Sequence, residues 1–129
     1  MLGKKLLLIE DDSFMREMIT LVLESEDYEV TGAGDGRGAL RLLKDSGGYA
    51  AVISDMYLPD TDGLELFAQI NALQPELAFL LLTSETDETI VRKATGLGIS
   101  YILKDENYAE AILSALRQPC TGQTGEMIS

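Results

Sequence analysis

Leu6-Leu7-Leu8-Ile9-Glu10-Asp11-Asp12 is the stretch on which the reading of this chain turns. Four consecutive apolar residues without alternation fit a short strand buried on both faces, as in a parallel sheet covered by helices. Three acids in a row then close it. A buried strand that ends abruptly in carboxylates puts charge at the rim of the sheet, where open α/β folds carry their sites.

Downstream the same theme recurs. Helical spacing of Met15, Met18, Ile19 and Val22 predicts a helix over 13–24, with Met15 and Met18 read as its core side. A second strand is expected over 28–31, then a helix over 37–44 with Leu40 and Leu43 inward, closed by Ser46-Gly47-Gly48. Ala51-Val52-Ile53-Ser54 reads as a third strand ending at Asp55. Asp62 is expected as an N-cap, with Glu65 completing a capping box for a helix carrying Phe67, Ile70 and Leu73. Phe79-Leu80-Leu81-Leu82 is a fourth strand ending at Thr83, followed by a helix with Ile90, Val91, Ala94 and Leu97. Ser100-Tyr101-Ile102-Leu103 is a fifth strand ending at Lys104, and Tyr108, Ile112, Ala115 and Leu116 mark the last helix. Five strand–helix units in succession predict an α/β fold, a parallel sheet wound with helices on both faces.

Composition narrows the chemistry. The 129 residues suit one domain, expected over 1–117, with a flexible tail or linker stub over 118–129. Met1 opens the chain and is read as a natural N-terminus. No apolar run approaches the roughly 18 residues of a membrane span, and the apolar stretch after Lys4-Lys5 is too short for a signal peptide. A cytoplasmic location, without membrane contact, is expected. A net charge of −12 opposes direct binding of nucleic acid. There is no His, and the single Cys is Cys120, which removes Ser-His-Asp and Cys-His catalysis, disulfides and the usual zinc sites. Carboxylates, hydroxyls, lysines and a hard cation remain.

The polar residues at the strand ends are Glu10-Asp11-Asp12, Asp55, Thr83 and Lys104. Carboxylates converging on one pocket repel unless a cation neutralises them, and an all-oxygen ligand set suits Mg²⁺. A carboxylate can also act as nucleophile toward phosphorus. Phosphoryl transfer then needs positioning and charge neutralisation, which a cation, the Lys104 ammonium and the Thr83 hydroxyl can supply.

With these residues in view, the chain resembles the receiver domain of the response-regulator family from about Lys5 to Leu116. The resemblance rests on Ile9-Glu10-Asp11-Asp12, on Ile53-Ser54-Asp55-Met56-Tyr57-Leu58-Pro59-Asp60-Thr61-Asp62-Gly63, on Leu82-Thr83-Ser84 and on Tyr101-Ile102-Leu103-Lys104. It implies a flavodoxin-like, five-stranded doubly wound sheet in the order 2-1-3-4-5. It further implies Asp55 as phosphoacceptor, with Mg²⁺ held by Glu10, Asp11, Asp55 and the backbone carbonyl of Tyr57. Asp11 would bind the ion directly and Glu10 through water. Thr83 and Lys104 would contact the phosphoryl group, and Thr83 and Tyr101 would relay the change. The implied partners are a sensor histidine kinase or phosphotransfer protein and an output domain or effector protein. Such a chain is not an enzyme in the ordinary sense: it assists its own phosphorylation and slow dephosphorylation. Lys104 is followed by Asp105, where many family members have proline, which leaves the isomer of that peptide bond open. Arg117-Gln118-Pro119 cuts the last helix short.

Each feature also has a plainer reading. Glu10-Asp11-Asp12 could simply cap the first helix, Lys104 could be solvated, Thr83 could end a strand, and Tyr101 could be strand packing. Gly34-Asp35-Gly36-Arg37-Gly38-Ala39 fits a dinucleotide fingerprint but follows the second strand, and Asp35 would face the pyrophosphate, so it reads as a structural loop. Beside the phosphorylated switch stand two alternatives: a receiver-like interaction module that takes no phosphate, and a Mg²⁺-dependent hydrolase with Asp55 as nucleophile. Against the latter, the position two residues on is Tyr57, which offers no second acid.

Overall fold

The computed structural model describes residues 4–84 and 87–117. Five strands and five helices alternate: β1 (Lys5–Ile9), α1 (Ser13–Glu24), β2 (Glu29–Ala33), α2 (Gly36–Asp45), β3 (Tyr49–Asp55), α3 (Gly63–Leu73), β4 (Ala78–Thr83), α4 (Glu88–Gly96), β5 (Ser100–Leu103) and α5 (Tyr108–Arg117). All strand pairs are parallel, in the order β2-β1-β3-β4-β5. This is the expected doubly wound sheet.

The apolar strand runs split by side-chain parity, since successive residues point to opposite faces. Leu7, Ile9, Val52 and Leu81 meet Leu43 of α2, Leu66 and Ile70 of α3, and Ala94 of α4. Leu6, Leu8, Ile53, Leu80 and Leu82 meet Ile19 and Leu23 of α1, with Ile112 and Leu113 of α5. Both faces of β1, β3 and β4 are therefore covered, which is why these central strands show no polar alternation.

Several expectations need adjustment. Strand β2 runs to Ala33, paired along its length with β1, where the sequence had suggested an end at residue 31. Strand β3 begins at Tyr49, straight after Gly48, whose φ of 87° turns the chain out of α2. Met18, read as core, is 40% exposed, and Met15 is half-buried. The buried stripe of α1 passes through Ile19 and Leu23, so Met18 falls on the outer side with Phe14 and Leu21. Leu73, the last residue of α3, and Leu97, just past the end of α4, are also exposed. No peptide bond among the described residues is cis, so Lys104–Asp105 is trans. The expected tail over 118–129, with Cys120, lies outside the described residues.

Candidate functional site

Strands β1 and β3 are neighbours whose following helices, α1 and α3, go to opposite faces of the sheet. Their carboxyl ends therefore splay apart and leave a crevice at the topological switch point. An open pocket of about 320 Å³ lies there, lined by Glu10, Asp11, Asp12, Asp55, Met56, Tyr57, Leu82, Thr83, Ser84 and Lys104.

All four polar strand ends thus converge. Glu10 and Asp55 are buried, at 1% and 5% exposure, and Thr83 is buried beside them. Asp11 is exposed at the mouth, and Lys104 is half-buried. Tyr101 lies one strand register away from the pocket, opposite Leu81 on β5, and packs half-buried against the α4 side of the core.

The three acids of the run divide their labour. Asp12 is the N-cap of α1, accepting the N–H groups of Phe14 at 3.0 Å and Met15 at 3.3 Å. Glu10 turns inward instead and accepts the Asp12 N–H. The capping role therefore falls to Asp12, while Glu10 and Asp11 line the pocket. Each of Glu10, Asp11 and Asp55 offers a carboxylate oxygen, and these lie within 4.8 Å of one another.

Local structure fixes Asp55 from behind. Met56 N–H donates to the Leu82 carbonyl, and Gly63 N–H to the Met56 carbonyl. A Cβ at Gly63 would come within 2.8 Å of the Asp55 carbonyl oxygen and 2.3 Å of Leu81 Cδ1. Only glycine lets the start of α3 sit this close beneath the site. Asp62 caps the helix by accepting the Glu65 N–H at 2.8 Å, the half of the expected box that sets the helix start.

Lys104 follows β5 with its N–H on the Thr83 carbonyl, and its side chain reaches back across the sheet. Nζ is 3.0 Å from Glu10 Oε1 and 2.6 Å from Asp55 Oδ1. The second contact is ionic: its angles fall outside hydrogen-bond geometry, so the buried Asp55 Oδ1 keeps unmet acceptor capacity. Burial, then the hydrogen bond and charge of Glu10, push the Asp55 carboxyl up to about 8, against the pull of Lys104. Burial also raises Glu10, but hydrogen bonds from Asp55, Lys104 and the Asp12 amide outweigh it and leave its carboxyl below the ordinary range. For Lys104, burial lowers the ammonium's pKa, yet Asp55 and Glu10 more than compensate. Without a metal, burial and Glu10 thus favour the protonated form of Asp55 over that of Glu10. Three convergent carboxylates against one ammonium, with oxygen-only donors, fit a hard divalent cation.

Two contributors carry no local signature. Arg16 of α1 lies along Gly32, where a Cβ would meet its Cδ at 3.1 Å, and hydrogen-bonds the Glu10 carbonyl. Asp60, in the loop after β3, accepts the N–H groups of Gly36 and Arg37 at the start of α2. Those two bonds hold its carboxyl below the ordinary range. The glycine-rich stretch 34–39 is accordingly a helix start, with Asp35 as N-cap accepting the Gly38 N–H.

Comparison with known proteins agrees with this fold. The family model of the response regulator receiver domain matches residues 6–117. The chain is 36% identical over 118 residues to the transcriptional regulatory protein GlrR of Escherichia coli, covering 88% of this chain and 26% of GlrR. It is 31% identical over 114 residues to the transcriptional regulatory protein FixJ of Bradyrhizobium diazoefficiens, covering 85% of this chain and 55% of FixJ. The chain thus spans only part of the length of these relatives. Among solved structures, the chemotaxis protein CheY4 of Vibrio cholerae superposes with a TM-score of 0.80 at 27% identity, over 89% of this chain and 97% of that one. The response regulator TrrA of Thermotoga maritima, solved with Mg²⁺ and BeF, gives 0.77 at 26% identity, over 87% and 96%. This chain belongs to the response regulator receiver domains of two-component systems. No helix among the described residues is long and apolar enough to cross a membrane.

Proposed function

We propose that this chain is a phosphorylation-dependent signalling switch, in which Asp55 accepts a phosphoryl group from a sensor histidine kinase or phosphotransfer protein. One observation carries the reading: the buried Asp55 carboxylate is contacted by Lys104 at 2.6 Å, with Glu10 and Asp11 oxygens within 4.8 Å. Glu10, Asp11, Asp55 and the Tyr57 carbonyl would hold Mg²⁺, which supplies positive charge to the oxygens of the incoming group. Ionised Asp55 attacks phosphorus in line. The bond from phosphorus to the donor's imidazole nitrogen breaks, and that nitrogen keeps the electron pair and takes up a proton. The Lys104 ammonium, already at Asp55, balances the charge on one phosphoryl oxygen, and the Thr83 hydroxyl donates to another.

On this reading the chain is a phosphoacceptor that assists its own modification and slow dephosphorylation, not a turnover enzyme. Its partners are the phosphodonor and an output domain or effector protein. The names of GlrR and FixJ make a transcriptional output the natural example. A net charge of −12 argues that this chain does not itself touch the nucleic acid. The exposed stripe Phe14, Met18 and Leu21 runs down α1 from the end that Asp12 caps at the pocket, and offers the donor an apolar landing surface. A cytoplasmic location suits a kinase-fed switch.

Incubation with acetyl phosphate or phosphoramidate plus Mg²⁺ tests the assignment. Wild type should form one stable phosphoprotein, and Asp55→Asn none. No incorporation in wild type would favour a bare interaction module, and rapid multiple turnover would favour a hydrolase.

A further inference from the structure

The loop between β3 and α3 has a tie that its own sequence does not announce. Its tip is a tight turn, with Leu58 N–H on the Thr61 carbonyl at 3.0 Å and an antiparallel bridge between Tyr57 and Asp62. From that tip Asp60 spreads its two carboxylate oxygens over two amides of α2. Oδ1 accepts from Gly36 N–H and Oδ2 from Arg37 N–H, each at 2.9 Å. The Thr61 methyl lies against Gly36, where a Cβ would come within 2.6 Å of it. Two bonds and one close apolar contact therefore dock the tip on the helix start.

Geometry of this kind fixes a rigid body. Two parallel acceptors on consecutive amides restrain rotation as well as distance, in the manner of a forked pair. The amides are those that α2 leaves without intrahelical partners, and a negative charge there is favoured by the helix dipole. Yet α2 does not need Asp60 as its cap, because Asp35 already caps it through Gly38 N–H at 2.8 Å. The second carboxylate is thus spare for the helix and informative for the loop. Three residues before it stands Tyr57, on the segment that leads out of Asp55.

We infer that Asp60 is a positioning residue, which clamps the 57–61 turn to α2 and thereby presets the Tyr57 main chain for cation binding. The inference rests on the metal site proposed above and adds a requirement to it. Ligands held in place before binding lose less freedom when the ion arrives, so supports that touch no metal still set affinity. The glycine-rich start of α2, which resembles a dinucleotide fingerprint in sequence, becomes the receiving half of this clamp. Gly36 admits the Thr61 methyl, and Asp35 leaves the first two amides to Asp60.

Titration with Mg²⁺, followed by calorimetry and by amide shifts, tests this. Asp60→Ala should weaken Mg²⁺ binding about tenfold, the lower end of what outer supports of metal ligands contribute. Asp35→Ala, which removes the other cap of the same helix, should lower the melting temperature yet leave Mg²⁺ affinity within about twofold of wild type. Asp60→Asn, of equal shape but with one acceptor, should fold and fall between wild type and Asp60→Ala. In wild type the Gly36 and Arg37 amides should shift on Mg²⁺ binding, and this response should vanish in Asp60→Ala. Wild-type affinity in both Asp60 variants overturns the clamp, as does equal weakening by Asp35→Ala. A wild-type protein that binds no Mg²⁺ overturns the metal site itself, and the clamp's role with it.

Discussion

Lys104 Nζ stands 2.6 Å from Asp55 Oδ1 while also touching Glu10 Oε1, so one ammonium serves two buried acids. Removing it leaves both buried carboxyl groups without their cation. Lys104→Met should therefore destabilise the metal-free chain by about 2 kcal/mol, the scale of a hydrogen bond to a charged group. Excess Mg²⁺ should close part of that gap by linkage. Urea unfolding of both proteins, with EDTA and with Mg²⁺, measures it. A mutant as stable as wild type in EDTA would mean that the ion pair does not persist in solution.

Asp55 carries the opposite burden. In the metal-free site burial and Glu10 push its carboxyl up to about 8, whereas an unfolded Asp titrates near 4. Between those values the native state binds the extra proton, so this group makes stability fall as pH rises across the window. Asparagine copies the shape of the protonated acid, with an amide N–H that can donate toward Glu10 and no charge to be neutralised. In EDTA, Asp55→Asn should match wild type near pH 4 and exceed it by about 1 kcal/mol at pH 8, the usual gain from relieving a functional site. Asp11 is exposed, so Asp11→Asn should stay within about 0.5 kcal/mol of wild type without metal but gain less from Mg²⁺. Thermal melts across pH check both. A pH-independent difference between Asp55→Asn and wild type would contradict the raised Asp55 carboxyl.

The exposed face of α1 gives a prediction about the phosphodonor. Phe14 is 69% exposed and Leu21 60%, so replacing both with Ala should leave stability nearly unchanged, about 0.5 kcal/mol per site at most. Transfer from a kinase should slow by about tenfold, equivalent to roughly 1.4 kcal/mol of lost docking. Labelling by acetyl phosphate should not change. Equal rates from the kinase for both proteins would place its landing surface elsewhere.

What the sequence discloses here follows from burial. Strands covered on both faces are largely apolar, so Glu10, Asp55, Thr83 and Lys104 stand out as polar residues at the ends of four such runs, with only the buried Ser54 breaking the pattern before Asp55. The fold and the convergence of these four are legible for that reason. Asp60 is not, because its partners Gly36 and Arg37 lie 24 and 23 residues earlier and nothing local marks the contact. Arg16 on the Glu10 carbonyl is hidden likewise, its stem recorded only as a glycine at position 32. Met18 misleads for a different reason. An amphipathic pattern tells that a helix has an apolar side, but α1 carries apolar residues on two, and only packing shows which one the sheet covers.

The last prediction concerns how a change at Asp55 would leave the pocket. Thr83 ends β4 buried in the site, and β4 pairs with β5 so that Thr83 faces Leu103 and Leu81 faces Tyr101. Tyr101 is half-buried against the α4 side of the core, alongside Ile90. A phosphoryl group on Asp55 would draw the Thr83 hydroxyl toward it, and the space vacated beside β5 would let the Tyr101 ring turn inward. A packed core moves between discrete arrangements, so the outer surface of α4, β5 and α5 should change with it. With beryllofluoride and Mg²⁺, amide shifts should extend beyond the pocket and cluster over 87–115. Thr83→Ala should still bind the analogue, yet confine the shifts to the pocket, because the residue that links site to surface is gone. Wild-type shifts limited to the acidic crevice would show that Thr83 and Tyr101 are packing residues and that the signal leaves by another route.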